Sequence, residues 1–187
     1  MCRRFKVNKG DSRAVGAMVG LTPDDDALFS PDVTPGRTAL ALKLVGLRLT
    51  AFYPVFGMDL YGDSVLNARL ETADQKPAFK LHFGSRRALF PASGFYEKDR
   101  QGREHYFQSP RGEILYLAGL YDDLDRFVLL TSTPVGDVVG IHPRMVLALD
   151  LKEGERYLDL RLGVRKIQAL PRAQVVEPDR PRQLTLF

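Results

Sequence analysis

The chain has 187 residues, 44% of them hydrophobic, with 27 Lys+Arg against 23 Asp+Glu for a net charge of +4. That length fits one domain with a sizeable core, and the apolar fraction excludes wholesale disorder. The single cysteine excludes an internal disulfide and a Cys2His2-type zinc site, and no stretch approaches the ~20 apolar residues of a membrane span. The opening Met1-Cys2-Arg3-Arg4-Phe5-Lys6 has no apolar signal stretch behind it, so a cytoplasmic protein is expected. Most of the basic residues are arginine, which fits phosphate binding and equally fits codon bias.

Residues 1–8 form a short basic-aromatic start. The Ala-rich stretch Asp11 to Val19 predicts a short helix capped by Asp11 or Ser12. Turn formers from Thr22 to Asp26 and from Ser30 to Gly36 predict loop. Ala39 to Tyr53 alternates well enough for two strands with Gly46 at the turn, and Phe56-Gly57-Met58 begins another loop. The second half is a run of short strands, Arg87–Pro91, Gly94–Glu97, His105–Gln108, Ile114–Tyr121 and Phe127–Thr131. Turn signals such as Asp99–Gly102 and Ser109–Gly112 separate them. An apolar strand, Met145–Leu149, and an amphipathic helix, Lys152–Leu160, with Leu158 and Leu160 available for packing, come next. The pattern predicts a single α+β domain on a curled, mainly antiparallel, barrel-like sheet with a few short helices. Residues 1–170 would form this domain. Residues 171–187, rich in proline and charge, read as an extended tail ending in an apolar plug.

The placement of the cysteine is more pointed than the totals. If Met1 is removed, the chain begins with an α-amine and a thiol on adjacent carbons. The amine titrates near ~7.7–8.0 in model systems, so part of it is neutral at physiological pH. A neutral amine attacks an aldehyde to give a Schiff base, and the adjacent thiol can then close a thiazolidine ring. An incidental cysteine at position 2 is the bland alternative. Glu97 ends a predicted strand among apolar and aromatic groups that would raise a carboxyl pKa, which suits an acid/base, although a surface glutamate at a strand end fits the periodicity. His142, in Ile-His-Pro-Arg, reads as a proton shuttle or as a turn residue. His82 and His105 read as structural or exposed. Asn67 and Arg69 could hold a polar or anionic ligand. Nothing in the sequence calls for a metal or cofactor.

Taken in order, Met1-Cys2-x-Arg4-Phe5, Asn67-Ala68-Arg69-x-Glu71-Thr72, Arg86-Arg87-x-Leu89-x-Pro91-Ala92-x-Gly94-Phe95-Tyr96-Glu97, Ala118-Gly119-Leu120, Thr131-x-Thr133 and Ile141-His142-x-Arg144-Met145 resemble the SOS response-associated peptidase (SRAP) family across residues 1–160. The resemblance implies recognition of abasic sites in single-stranded DNA and capture of the ring-opened sugar aldehyde as a thiazolidine DNA–protein crosslink. It makes Cys2 the double nucleophile and Asn67 the group orienting its amine. Glu97 becomes the acid/base of ring opening and closure, and His142 assists proton transfer at the Schiff-base stage. Arg4, Arg69, Arg144 and Thr131 match positions expected on the DNA-binding surface. The family's Trp-Gly-Leu block appears only as Phe56-Gly57-Met58, and the chain has no tryptophan, so Phe56 is the expected wedge. The family usually has Gly after the cysteine, where this chain has Arg3. Two other readings stand beside this one: a thiol peptidase pairing Cys2 with His142, and a non-covalent single-strand-binding adaptor. Gln183-Leu184-Thr185-Leu186-Phe187 resembles the bacterial sliding-clamp-binding pentapeptide. Its Gln183, Leu184, Leu186 and Phe187 imply a β-clamp partner and a replication-associated place at the nucleoid.

Overall fold

The computed structural model describes residues 2–21 and 31–178. Met1, residues 22–30 and residues 179–187, with the clamp-like pentapeptide Gln183-Leu184-Thr185-Leu186-Phe187, lie outside the described residues. The chain opens with β1 (Arg4–Lys6), α1 (Lys9–Met18) and β2 (Asp32–Val33). The expected hairpin follows as β3 (Ala41–Val45) and β4 (Arg48–Phe52), reversing at Gly46, whose φ of 62° suits a residue without a Cβ. Four short strands, β5 (Val55–Phe56), β6 (Met58–Leu60), β7 (Asp63–Val65) and β8 (Asn67–Arg69), run where a loop was expected. They lead into a 3-10 turn at Leu70–Thr72 and then α2 (Pro77–Ser85). The second half supplies β9 (Arg87–Ala92), β10 (Gly94–Lys98), β11 (Glu104–Gln108), β12 (Leu115–Tyr121) and β13 (Arg126–Ser132). It closes with β14 (Met145–Val146), β15 (Ala148–Leu149), α3 (Leu151–Leu158) and α4 (Val164–Gln168).

These elements make the expected α+β domain. Its larger sheet has nine strands and is mostly antiparallel, in the order β14-β13-β12-β9-β3-β4; β15 adds to β12, while β5 and β8 lie parallel to β13. A four-stranded sheet, β11-β10-β1-β2, faces it. Side-chain alternation shows why the central strands read as unbroken apolar runs. In β9, β12 and β13, Phe90, Leu117, Phe127 and Leu129 join Phe5, Phe95 and Phe107 of the smaller sheet. Their neighbours Leu89, Ala118, Val128 and Leu130 instead meet Phe79 and Phe83 of α2, Tyr157 of α3 and Ile167 of α4. A sheet covered on both faces needs no polar face.

Several departures have local causes. The expected strand Met145–Leu149 is two, because β14 pairs with β13 while β15 pairs with β12, and the chain crosses between them at Leu147. Asp150 accepts a hydrogen bond from the Glu153 backbone at 2.8 Å and so starts α3 before Lys152. The helix ends at Leu158, which leaves Leu158 buried but Leu160 48% exposed rather than packed. Among the described residues, no helix is long and apolar enough to cross a membrane.

The chain after Pro171 runs extended along the domain. Ala173 donates to the Ala148 carbonyl at 3.0 Å, Val175 is buried, and Gln108 and Val176 exchange two backbone bonds of 3.0 and 2.9 Å. His105 fastens this segment. Its Nδ1 lies 2.7 Å from Glu177 Oε1 and its Nε2 3.1 Å from Asp99 Oδ2. Ionised carboxylates only accept, so both contacts are hydrogen bonds when the ring is protonated. Burial opposes that charge, but Asp99 and Glu177 outweigh it and hold the His105 pKa above its ordinary value. A raised histidine pKa stabilises the fold below the unfolded-state value, and that contribution fades as pH rises through the folded-state value. His105→Gln is therefore expected to lower the melting temperature by about 3 °C at pH 5.5, corresponding to about 1 kcal/mol. The deficit should shrink towards zero by pH 9 in a thermal-unfolding series.

Candidate active site

Strand β1 has partners on both sides, β10 and β2, with Arg4 opposite Tyr96 and Phe5 opposite Phe95. This antiparallel register carries the chain before Arg4 back along β10 towards Glu97. Cys2 is fully buried at that point, and its Sγ lies 3.4 Å from the Arg4 carbonyl. Strand β8 brings Asn67 in from the other sheet, where it is opposite Leu129 of β13. The Asn67 side-chain amide donates to the Cys2 carbonyl at 2.9 Å. Its own Oδ1 is buried without a hydrogen-bond partner among the described residues. His142 closes the group from the turn after residues 136–138, with its Nδ1 3.8 Å from Glu97 Oε2. Residues 2, 67, 97 and 142 thus converge from the segment ahead of β1, from β8 and β10, and from a turn.

The electrostatics follow from burial. Glu97 is 2% exposed, and desolvation pushes its carboxyl above the ordinary range, although His142 and the Cys2 backbone pull the other way. Burial, reinforced by Glu97, also pushes the Cys2 thiol far up, so the resting sulfur is a thiol. The thiol therefore rests protonated, the reverse of an activated thiolate, and Glu97 keeps its proton to a higher pH than an exposed glutamate would.

The remaining expected residues are placed unequally. Arg69 is exposed two residues beyond Asn67 on β8. Arg4 stacks over Tyr96 at 3.9 Å and pairs with Asp32 and Glu104, each at 3.0 Å. Arg144 forks onto Glu71 with bonds of 2.8 and 2.7 Å and donates to the Thr131 carbonyl. Thr131 is fully buried, and its hydroxyl lies 3.4 Å from the Ala68 carbonyl. Phe56 is 1% exposed, stacked on Phe127 at 4.8 Å and edge-on to Phe5 at 6.2 Å. Its ring is part of the core and offers no face to a base, so the wedge expected of it is corrected to a packing role. The reason is its β5 pairing with β13, which points Phe56 at the inter-sheet layer. Glu71 belongs to one of the family blocks, but the sequence points to no role for it. Its signal, a carboxylate 73 residues from the arginine it holds, is invisible to local periodicity.

The family model described as SOS response associated peptidase (SRAP) matches residues 1–180. The abasic site processing protein YobE of Bacillus subtilis (strain 168) is 25% identical over 156 residues, covering 73% of this chain and 71% of the relative. The abasic site processing protein YoaM of the same organism is 28% identical over 139 residues, covering 64% of this chain and 61% of the relative. Among solved structures, a protein of Bacteroides thetaiotaomicron has the same fold at a TM-score of 0.70 and 20% identity, covering 90% of this chain and 86% of that one. A phage-related protein of Bordetella bronchiseptica does so at 0.69 and 22%, covering 94% and 92%. With a family model that matches residues 1–180, the protein belongs to the SOS response associated peptidase (SRAP) family.

Proposed function

We propose that the protein recognises abasic sites in single-stranded DNA and captures them covalently through Cys2 once Met1 is removed. The abasic-site-processing relatives support the substrate class. The observation that carries the chemistry is the Asn67 amide, clasped on the Cys2 carbonyl with a buried Oδ1 still to be satisfied. A free α-amine on Cys2 is a donor suited to that oxygen.

Glu97, protonated, gives its proton to the ring oxygen as the sugar hemiacetal opens, and the 1′-hydroxyl proton released as the aldehyde forms returns to the Glu97 carboxylate. The Cys2 nitrogen attacks C1′, and loss of water leaves a Schiff base. The Cys2 sulfur then bonds to C1′, its proton passes by way of Glu97 or His142 to the nitrogen, and a thiazolidine and one water are the products. Amine-first attack suits a site whose thiol is held protonated by burial, and it disfavours a peptidase that would need the thiolate at rest. Arg69, exposed beside Asn67, takes the phosphate contact. The C-terminal pentapeptide gives the proposed partner, a β sliding clamp.

A denaturing gel with an abasic single strand tests this reading. Wild-type protein should give a shifted, denaturant-resistant band and Cys2→Ala none; a band of equal intensity in Cys2→Ala overturns it. Deleting residues 183–187 should abolish clamp binding and leave the band unchanged.

A further inference from the structure

The Glu71–Arg144 fork points to a part of the site that the reaction above does not use. Arg144 follows His142 by two residues. The His142 Nδ1 lies 2.6 Å from the Arg144 carbonyl oxygen and 3.1 Å from the Arg144 backbone nitrogen. A carbonyl only accepts, so the shorter contact requires a proton on Nδ1, whereas a bond from the Arg144 N–H would require a lone pair there. The two bonds are exclusive, and which one forms decides the tautomer. The Arg144 backbone leads directly into β14, whose Met145 lies opposite Ser132 of β13, and its side chain adds a second tie. The guanidinium makes two parallel bonds to Glu71 and a third, of 2.5 Å, to the Thr131 carbonyl. Glu71 sits on the 3-10 turn that directly follows the strand carrying Asn67.

We propose that Glu71 is a positioning residue: by forking Arg144 it fixes the His142-Pro143-Arg144 turn so that the imidazole carries its neutral-state proton on Nδ1 and uses Nε2 as its basic nitrogen. The proposal rests on the abasic-site reading for its catalytic meaning, but not for the tautomer itself. It also gives Arg144 a different task from phosphate contact, because the fork that would hold a phosphate is already closed on a carboxylate. Glu97 faces the His142 ring, and Arg69 and Arg172 lie within electrostatic reach of Glu71. Arg144 outweighs the burial of Glu71 and keeps its carboxyl below the ordinary range, so the fork persists at neutral pH.

The test uses the full chain with 15N-labelled histidine. The sequence has three histidines, so long-range 1H–15N imidazole spectra assign His142 by comparison with His142→Gln. Wild type should show His142 as the Nδ1–H tautomer at neutral pH, and Glu71→Gln should shift a substantial fraction to Nε2–H. Capture of the abasic strand should slow roughly 10–100-fold in the same variant. An unchanged tautomer in Glu71→Gln overturns the proposal. So does a rise in intact single-strand affinity with a salt slope steeper by about 1, which would show Arg144 waiting for phosphate behind Glu71. If Glu71→Gln failed to fold, Arg144→Lys, which keeps the charge but not the fork, takes its place in the same spectra. An unchanged tautomer there overturns the proposal equally. Absence of capture by wild type would sink the covalent reading alone, since the tautomer is read without DNA.

Discussion

Glu97→Gln is expected to slow capture of an abasic strand about a thousandfold, within the ~10²–10⁴ range typical of a lost general acid/base, while intact single-strand binding stays unchanged. The substitution keeps the volume and the polar contacts but removes the exchangeable proton. Glu97 suits the role because it is buried, with a carboxyl pushed above its ordinary range by desolvation, so it still carries a proton at a pH where an exposed glutamate has lost it. The acid form prevails below the raised pKa and disappears above it. Wild-type capture should therefore fall on the alkaline side of that pKa, and this limb should be missing from the residual rate of Glu97→Gln.

The same shift has an opposite effect on stability. A carboxyl with a higher pKa when folded than when unfolded binds more protons in the native state, so stability falls as pH rises from the unfolded value through the folded one. Glutamine avoids that loss. At pH 7 the variant should be almost inactive yet melt at a higher temperature than wild type. Equal capture rates in quench-flow or gel time courses would remove Glu97 from the mechanism. A lower melting temperature for the variant would show that the buried carboxylate is net stabilising.

The second large effect concerns folding. Arg87 begins β9 and is 3% exposed, yet its guanidinium is satisfied by backbone alone. Nε donates to the Phe83 carbonyl at 2.8 Å, Nη1 to Tyr157 and Asp159 at 3.1 and 3.0 Å, and Nη2 to Leu162 at 2.7 Å. One side chain thus ties the end of α2 to the end of α3 and the turn after it, while stacking over the Phe83 ring at 4.3 Å. Arg87→Met would fill much of the volume but leave four carbonyls without their donor. The expected cost is about 4 kcal/mol, or a melting temperature lower by about 12 °C. Denaturant unfolding that shows a loss below about 1 kcal/mol would mean that water replaces the guanidinium without penalty.

How far these features could be read from sequence depends on their range. The hairpin around Gly46 and the strands Gly94–Lys98 and Leu115–Tyr121 were legible because alternation and turn residues are local signals. Helix α2 escaped. Its two anchors, Phe79 and Phe83, are one turn apart, and Pro77 occupies its first turn, but the segment is too short to show a sustained apolar stripe. The convergence of Cys2, Asn67, Glu97 and His142 was legible only through the order of family blocks. No periodicity joins residues so far apart. The burial of Phe56 was hidden for a related reason, because its parallel pairing with Phe127 crosses 71 positions. Arg87 and His105 show the same limit from the polar side: a lone cation in sequence carries no mark of the carbonyls or carboxylates it will meet.

The position of β1 between β10 and β2 has a consequence for synthesis. Phe5 must wait for Phe95, its partner across β10. A ribosome adding about 5–20 residues per second takes roughly 5–20 s to cover that distance. Throughout that interval the nascent N-terminus lacks the strand that later buries Cys2. The loss of Met1 that the proposed chemistry requires is therefore expected in that interval, before the sheet closes over Cys2.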